Sequence, residues 1–468
     1  MIKNPADRHT EGNARLASRG RLPGLLFVAV ACFHVTTAWV GGPAGNWHGQ
    51  TSEYYQLLTD AFLAGQTSLL VQPSAQLLAL PDPRDPARNA LFRLHDASLY
   101  HEKYYLYFGP TPAIVLFLPY KRLTGSHLPS RLAVALFCAA GFACSCALFF
   151  LLAKREKWDC PRWFGSAAVL SLGTAPGVAF LLTRPSFYEV AISAGYCFVM
   201  AGFLLIAHAL ELDSPRTGSL VAAGLCFGLA AGCRPNFALL AVLMAVLLAW
   251  RIRSHKTKAL AFVGPVVLCG VLLAAYNYAR FQSPFEFGNR YQLADGVQNQ
   301  GSLFALAKVV PAVYYLIFSP PSIGFHYPFV RPSDSLSAFT SLPKGFAVGP
   351  TIGLLWIAPI ALLGLMTPIV WRDRRIQDRV KLGSTRFTIA SLYISSLGIM
   401  AMFASLGWIV GRYLVDFAPE LVLLSWLLLA ASWQVLRGWS TWHSRLFQCA
   451  VAGFTLYSVF LDFIVHAG

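Results

Sequence analysis

Residues 131–153 read RLAVALFCAAGFACSCALFFLLA, and after Arg131 no charge interrupts the run until Lys154-Arg155. A helix crossing the hydrocarbon of a bilayer needs about 20 mainly apolar residues. This stretch meets that requirement, and its ends are marked by basic residues. Working outward, ten more stretches share its character: 22–40, 163–182, 190–210, 218–233, 236–250, 259–279, 351–371, 387–408, 414–434 and 446–465. The short pair 218–233 and 236–250 is separated by Arg234-Pro235. The first run follows a basic tail, but its length and the many later runs favour an uncleaved anchor over a signal peptide. The expectation is an all-α polytopic membrane protein of about eleven transmembrane helices. It consists of a cytoplasmic tail, 1–21, and a single transmembrane domain, 22–468.

Composition agrees. Of 468 residues, 56% are hydrophobic and 12% are charged, whereas a soluble domain carries about 25% charge. So little charge cannot cover a water-soluble surface of this size, and disordered, collagen-like and disulfide-rich secreted chains are excluded too. The net charge of +16 is not a nucleic-acid signature. With the N-terminus in the cytoplasm, the inner segments are 1–21, 154–162, 211–217, 251–258, 372–386 and 437–445. These 69 residues hold 22 of the 37 Lys and Arg, as the positive-inside rule requires. The C-terminus is then expected outside; the topology, with the family resemblance given below, implies residence in the cytoplasmic (inner) membrane. Nine of the ten Cys fall inside apolar runs, where Cys behaves as a small hydrophobe, and no CxxC spacing occurs. Phosphate-loop, zinc-protease, nucleophile-elbow and dinucleotide signatures are absent.

This topology leaves two long outer loops, 41–130 and 280–350. The apolar stretch 109–120 is too short to span comfortably and reads as a helix in the outer interface; 303–318 reads as a re-entrant segment or an extra span. The first loop carries six of the 21 acidic residues: Glu53, Asp60, Asp82, Asp85, Asp96 and Glu102. Within 52–66, Tyr54, Leu57, Leu58, Ala61 and Phe62 recur on one helical face, with Glu53 and Asp60 two turns apart on the other. Ser52 is placed to cap that helix. Glu53 and Asp60 are candidate catalytic acids, or a solvated edge of an interfacial helix. The segment 93–112, RLHDASLYHEKYYLYFGPTP, sets Asp96 beside His95 and packs Tyr100, Tyr104, Tyr105, Tyr107 and Phe108 closely together. Tyr54, Tyr55, Tyr104 and Tyr105 offer rings for stacking on a sugar or acceptor, or form an aromatic belt at the headgroups. Glu189 opens a membrane helix in TRPSFYEVAI, 183–192, where the helix dipole or a functional site accounts for it. Arg184, Arg234, Arg290 and Arg412 fall at or just inside the outer face, with Arg280 near them and Asp416 close to Arg412. The planar fork of Arg suits phosphate, so a lipid-phosphate headgroup is their expected ligand.

The order of these features resembles the GT-C superfamily of polyprenyl-phosphate-sugar-dependent glycosyltransferases, which includes the aminoarabinose transferases and protein O-mannosyltransferases. The resemblance is carried by Ser52-Glu53-Tyr54-Tyr55 running to Gly65, by Gly109-Pro110-Thr111-Pro112, by Arg184 to Glu189, and by Arg412-Tyr413 with Pro419. Two departures stand out: the usual first-loop acidic pair is Ser52-Glu53 here, and the family's Lys-Pro-Pro is missing. The resemblance implies an inverting glycosyltransferase, moving a hexose or pentose from a polyprenyl-phosphate donor to a lipid, glycan or protein acceptor at the periplasmic face. Glu53 is the expected general base, with Asp60 or Asp96 in reserve. Glu189 either orients the acceptor or shares a divalent cation, Mg or Mn, with Glu53; metal dependence stays open. The alternatives are a lipid-linked glycan ligase or polymerase, and a non-catalytic transporter or lipid-binding protein. A transporter of matched halves is expected to carry charge near the midplane, whereas here acids gather in one outer loop.

Overall fold

The computed structural model describes residues 21–40, 53–211, 214–294, 305–325, 330–332, 339 and 341–466. Ser52, the expected cap, lies outside them. Among the described residues, seven helices are long and apolar enough to cross a membrane: Leu22–Val40, Ser130–Arg155, Phe187–Ala209, Lys256–Phe281, Gly383–Leu406, Ala418–Leu436 and Thr441–Leu461. Thr217–Ala231 and Asn236–Arg251 are shorter apolar helices on either side of the Arg234-Pro235 break. The chain is a mostly helical, multi-pass membrane protein.

Two of the expected spans are broken. The stretch 163–182 divides into Arg162–Thr174 and Ala179–Thr183. Pro176 removes an amide there, and Gly177 takes a left-handed φ of 76°. The stretch 351–371 divides into Leu354–Ile357, Ala361–Leu365 and Thr367–Val370, with Pro359 and Pro368 interrupting the hydrogen-bond ladder. Of 303–318, the described part is the short apolar helix Leu306–Phe318, about 20 Å at 1.5 Å per residue and so too short to cross. The interfacial segment 109–120 becomes a π turn, Ala113–Phe117, running into Leu118–Thr124.

The fold is not purely helical. Ser98–Tyr100 pairs antiparallel with Lys103–Tyr105, Ser322–Ile323 with Val330–Arg331, and Ala347–Val348 runs parallel to Trp408–Ile409. The first ribbon uses the tyrosine-rich run, since aromatic residues favour a pleated, half-buried surface. Its tip is His101-Glu102, both with positive φ, as a two-residue hairpin turn of the primed type demands.

The basic connectors meet at one end of the bundle. The Glu156 carboxylate accepts from the amides of Lys381 and Leu382 at 2.8 and 3.0 Å, just before the helix Gly383–Leu406. Trp158 donates to the Arg379 carbonyl at 2.8 Å, Arg437 pairs with Asp159 at 2.8 Å, and Arg155 pairs with Glu211 at 3.3 Å. The starts of Ser130–Arg155, Phe187–Ala209, Asn236–Arg251 and Ala418–Leu436 point the other way, toward the first loop.

Candidate functional site

At that opposite end the loops build a row of alternating charge. Asp96 precedes the hairpin with φ of 59°, a conformation Asp tolerates better than most residues. Its amide donates to the Leu293 carbonyl at 3.0 Å, and the Leu293 amide donates to the Ala97 carbonyl at 2.9 Å. The start of the second outer loop thereby holds Asp96 in place. Its carboxylate accepts from the Tyr188 hydroxyl, with His95 Nε2 3.8 Å away.

Tyr188 and Glu189 occupy the first turn of Phe187–Ala209. Ser186 and Glu189 close a capping box: the Ser186 amide donates to Glu189 Oε2 at 3.1 Å, and the Ser186 hydroxyl donates to the same oxygen. This satisfies amides that a helix start leaves open. The other oxygen, Oε1, faces Arg412 Nη1 at 3.7 Å. The Arg412 guanidinium lies 4.2 Å from the centre of the Tyr188 ring, close enough for a cation–π contact. Burial works against the Arg412 cation, yet the carboxylate of Glu189, then Tyr413, Tyr107 and Asp96, outweigh it and hold its pKa above the ordinary value. It stays charged while its side chain keeps 26% exposure.

Arg412 is the second residue of the short helical turn Gly411–Asp416, and Asp416 closes it. The Asp416 carboxylate is fully buried and accepts from Arg234 and, at 3.1 Å, from Asn236. Arg234 is delivered by the break between Thr217–Ala231 and Asn236–Arg251. The Gly-Pro-Thr-Pro turn docks on that break: the amides of Gly109 and Thr111 donate to the carbonyls of Cys233 and Gly232 at 3.3 and 3.1 Å. A Cβ on Gly109 would stand 2.0 Å from the Gly232 carbonyl oxygen, so only glycine permits this approach. Arg234 also lies 5.0 Å from the Tyr413 ring centre. Two buried atoms of the row, Arg412 Nε and Asp416 Oδ1, have no hydrogen-bond partner among the described residues. Such atoms are costly unless something fills them.

The other expected site residues sit elsewhere. The carboxylate of Glu53 accepts from the Ser130 amide at 3.0 Å, the Ser130 hydroxyl at 2.6 Å and the Gln56 side chain at 3.0 Å. It caps Ser130–Arg155 from another element, because the helix's own N-cap, Pro129, offers no side-chain acceptor. Burial pushes its carboxyl up, and the Ser130 bonds pull it back only in part. Asp60 binds Lys121 and, at 3.0 Å, His127, clamping the helix Tyr54–Leu63 to Leu118–Thr124. Burial opposes that carboxylate, but the Lys121 and His127 bonds outweigh it and hold its pKa down. Tyr54 and Tyr55 are buried, so their rings are spent on packing rather than offered to a sugar. Tyr54 donates to the His95 carbonyl and sits 4.2 Å from the Phe187 ring, while Tyr55 donates to the Gly109 carbonyl at 3.3 Å. Tyr104, which accepts from the Leu94 amide at 3.2 Å, and Tyr105, 5.3 Å from the Phe281 ring, are buried likewise. Arg184 and Arg290 are exposed and make none of the contacts that build the row.

Among the described residues, Glu53 and Glu189 are not brought together with a third ligand residue. Each carboxylate is engaged by its own helix start, Ser130 and Ser186, and among the described residues no three His, Cys, Asp or Glu side chains come together to hold a metal ion. Tyr188 and Asn236 were not singled out by sequence reasoning. Their only signal was adjacency, Tyr188 beside Glu189 and Asn236 two residues after Arg234.

No protein-family model and no curated protein sequence matches the chain. Among solved structures, it is similar to ArnT from Cupriavidus metallidurans bound to undecaprenyl phosphate, with 15% identity and a TM-score of 0.47 over 95% of this chain and 76% of that one. It is also similar to the Archaeoglobus fulgidus oligosaccharyltransferase tethered to an acceptor peptide, with 14% identity and a TM-score of 0.49 over 94% of this chain and 55% of that one.

Proposed function

We propose that the chain is a membrane glycosyltransferase that moves a sugar from a polyprenyl-phosphate carrier to an acceptor hydroxyl at the outer face of the cytoplasmic membrane. The observation that carries this reading is the row itself. A carboxylate held by a phenol, Asp96–Tyr188, stands beside a guanidinium with an unpartnered nitrogen, Arg412, at the lip of a helical bundle. The chemistry needs a base and a cation close together and poorly hydrated, where fixed charges act strongly.

In this reading Asp96 takes the proton of the acceptor hydroxyl, and the acceptor oxygen forms a bond to the anomeric carbon. The bond from that carbon to the carrier phosphate breaks, its electron pair leaves on the phosphate oxygen, and the anomeric centre inverts. Arg412 neutralises the charge that grows on the leaving phosphate. Glu189 positions Arg412 from below, and the closed pair Arg234–Asp416 anchors the turn that presents it. Glu53 is assigned a structural part, because its oxygens are engaged by Ser130 and Gln56.

Purified protein in lipid nanodiscs, supplied with labelled polyprenyl-phosphate sugar and a mixture of envelope acceptors, tests this. Asp96→Asn is expected to slow transfer by about 10²–10⁴-fold with donor binding retained. Arg412→Ala is expected to lose about 10²–10³-fold, the usual effect of removing one group that stabilises developing charge. Full turnover by Asp96→Asn would move the base elsewhere, with Glu53 the next to be tried.

A further inference from the structure

The tip of the first-loop ribbon holds a feature that the charged row does not use. Tyr100, His101 and Glu102 of the hairpin, Arg84 of the preceding loop and Tyr291 of the second outer loop line a cavity of 370 Å³. This lies within the size range of ligand pockets, roughly 300–1,000 Å³. We infer that this cavity is a binding subsite for a neutral saccharide unit of the acceptor, next to the unit that reacts at Asp96.

Four observations converge. First, the walls combine aromatic faces with hydrogen-bonding groups of both kinds. The ring centres of Tyr100 and Tyr291 are 4.6 Å apart, and Phe281 stacks behind Tyr291 at 5.7 Å, fixing its orientation. A sugar presents C–H faces to such rings and hydroxyls to their rim. Second, the rim carries both kinds of charged hydrogen-bonding group. Arg84 is half exposed and paired with Asp82 at 3.4 Å, and Glu102 is exposed. A phosphate would meet the carboxylate of Glu102, whereas vicinal hydroxyls can donate to Glu102 and accept from Arg84. Third, the turn's backbone favours Gly or Asn, since both tip residues have positive φ. The chain instead places His101 and Glu102 there, at φ of 47° and 58°, and both side chains line the cavity. Non-glycine residues held in that region cost free energy and tend to mark functional positions. Fourth, Asp96 lies four residues before Tyr100, in the turn that leads into the strand Ser98–Tyr100, so the two are about 13 Å apart at most at 3.3 Å per residue. That is the reach of an acceptor of two or three sugar units lying along the ribbon.

The inference rests on the proposed transferase reading only in calling the saccharide an acceptor; binding itself needs neither donor nor turnover. Saturation-transfer NMR on the full chain in nanodiscs, with maltose, cellobiose, lactose and mannobiose as probes, tests it directly. At least one disaccharide is expected to bind. Tyr100→Ala combined with Tyr291→Ala should weaken that binding at least tenfold. Glu102→Gln, a change at an exposed side chain that leaves the fold intact, should weaken it several-fold. Absence of saturation transfer from all four probes, or binding unchanged in both the paired tyrosine variant and Glu102→Gln, overturns the subsite. Loss of transfer in Asp96→Asn with no disaccharide binding would leave the transferase standing without this subsite, and the converse would leave a saccharide-binding loop without the proposed base.

Discussion

At the scale of single residues, a carboxylate's role follows from what its oxygens touch. Glu53 and Asp96 both belong to the first outer loop, yet one is a helix cap and the other a candidate base. Ser130 supplies Glu53 with an amide and a hydroxyl, and burial raises its pKa. A raised carboxyl pKa means that the folded state prefers the protonated form; its contribution is fully present below the ordinary value of 4.5 and is lost as pH rises through the folded pKa. Glu53→Gln is therefore expected to keep thermal stability at pH 7, because an amide oxygen still accepts from Ser130. Glu53→Ala should lose about 1 kcal/mol, the usual cost of a lost cap. Equal stability of both variants in a melting experiment would remove the capping role. Asp60 has the opposite sign. Its bonds to Lys121 and His127 hold its pKa below 3.8, so its contribution is present above that ordinary value and is lost as pH falls through the folded pKa. The gap in melting temperature between the parent and Asp60→Asn should be open at pH 6 and close toward pH 3; a gap that persists undiminished at pH 3 contradicts the Lys121 clamp.

At the scale of elements, the site is made by interruptions rather than by helices. Arg234 enters the row because two short helices break at Gly232–Pro235, and the break is held open by backbone contact with Gly109 and Thr111. Gly109→Ala forces a Cβ into the Gly232 carbonyl, and no side chain can move to relieve it. It is expected to destabilise the chain by about 1–3 kcal/mol, the range for overpacking, and to slow transfer beyond the loss of folded protein. Normal specific activity in the folded fraction of Gly109→Ala would show that Arg234 does not depend on this docking. The same scale explains what the sequence made legible. Apolar length and the placement of Lys and Arg respond to the bilayer one segment at a time, so the long helices and the Arg234-Pro235 break were readable. The splits at Pro176-Gly177 and at Pro359 and Pro368 were hidden beneath high average hydropathy. The tyrosine run was readable as aromatic but not as a hairpin, because its turn uses His101-Glu102 where a glycine would have announced it. Asp96, Glu189, Arg234 and Arg412 could each be proposed from residue type and depth. Their assembly could not, since Tyr188, Leu293 and Asn236 join elements far apart in the chain.

At the scale of the whole molecule, the two ends of the bundle differ in kind, and the difference has a direction. One end is a set of basic connectors stitched by Glu156, Trp158 and Asp159 to the turns before Gly383 and after Leu436. The other holds the row, the ribbon and the cavity. By the positive-inside rule the basic end would face the cytoplasm, and the proposed transfer from a lipid-linked sugar would then take place outside. That direction requires the broken segments 163–182 and 351–371 both to cross. Both segments lie between the row's elements and the basic connectors, so the two ends must be tested together. In a variant lacking the exposed native cysteines Cys32 and Cys449, Arg84→Cys should react with a membrane-impermeant thiol reagent added to intact cells, and Arg379→Cys should react only after the membrane is opened. Labelling of both from outside would mean that one broken segment fails to cross. Labelling of Arg379→Cys alone would place the row in the cytoplasm, where a nucleotide-sugar donor would become the better expectation than a polyprenyl phosphate.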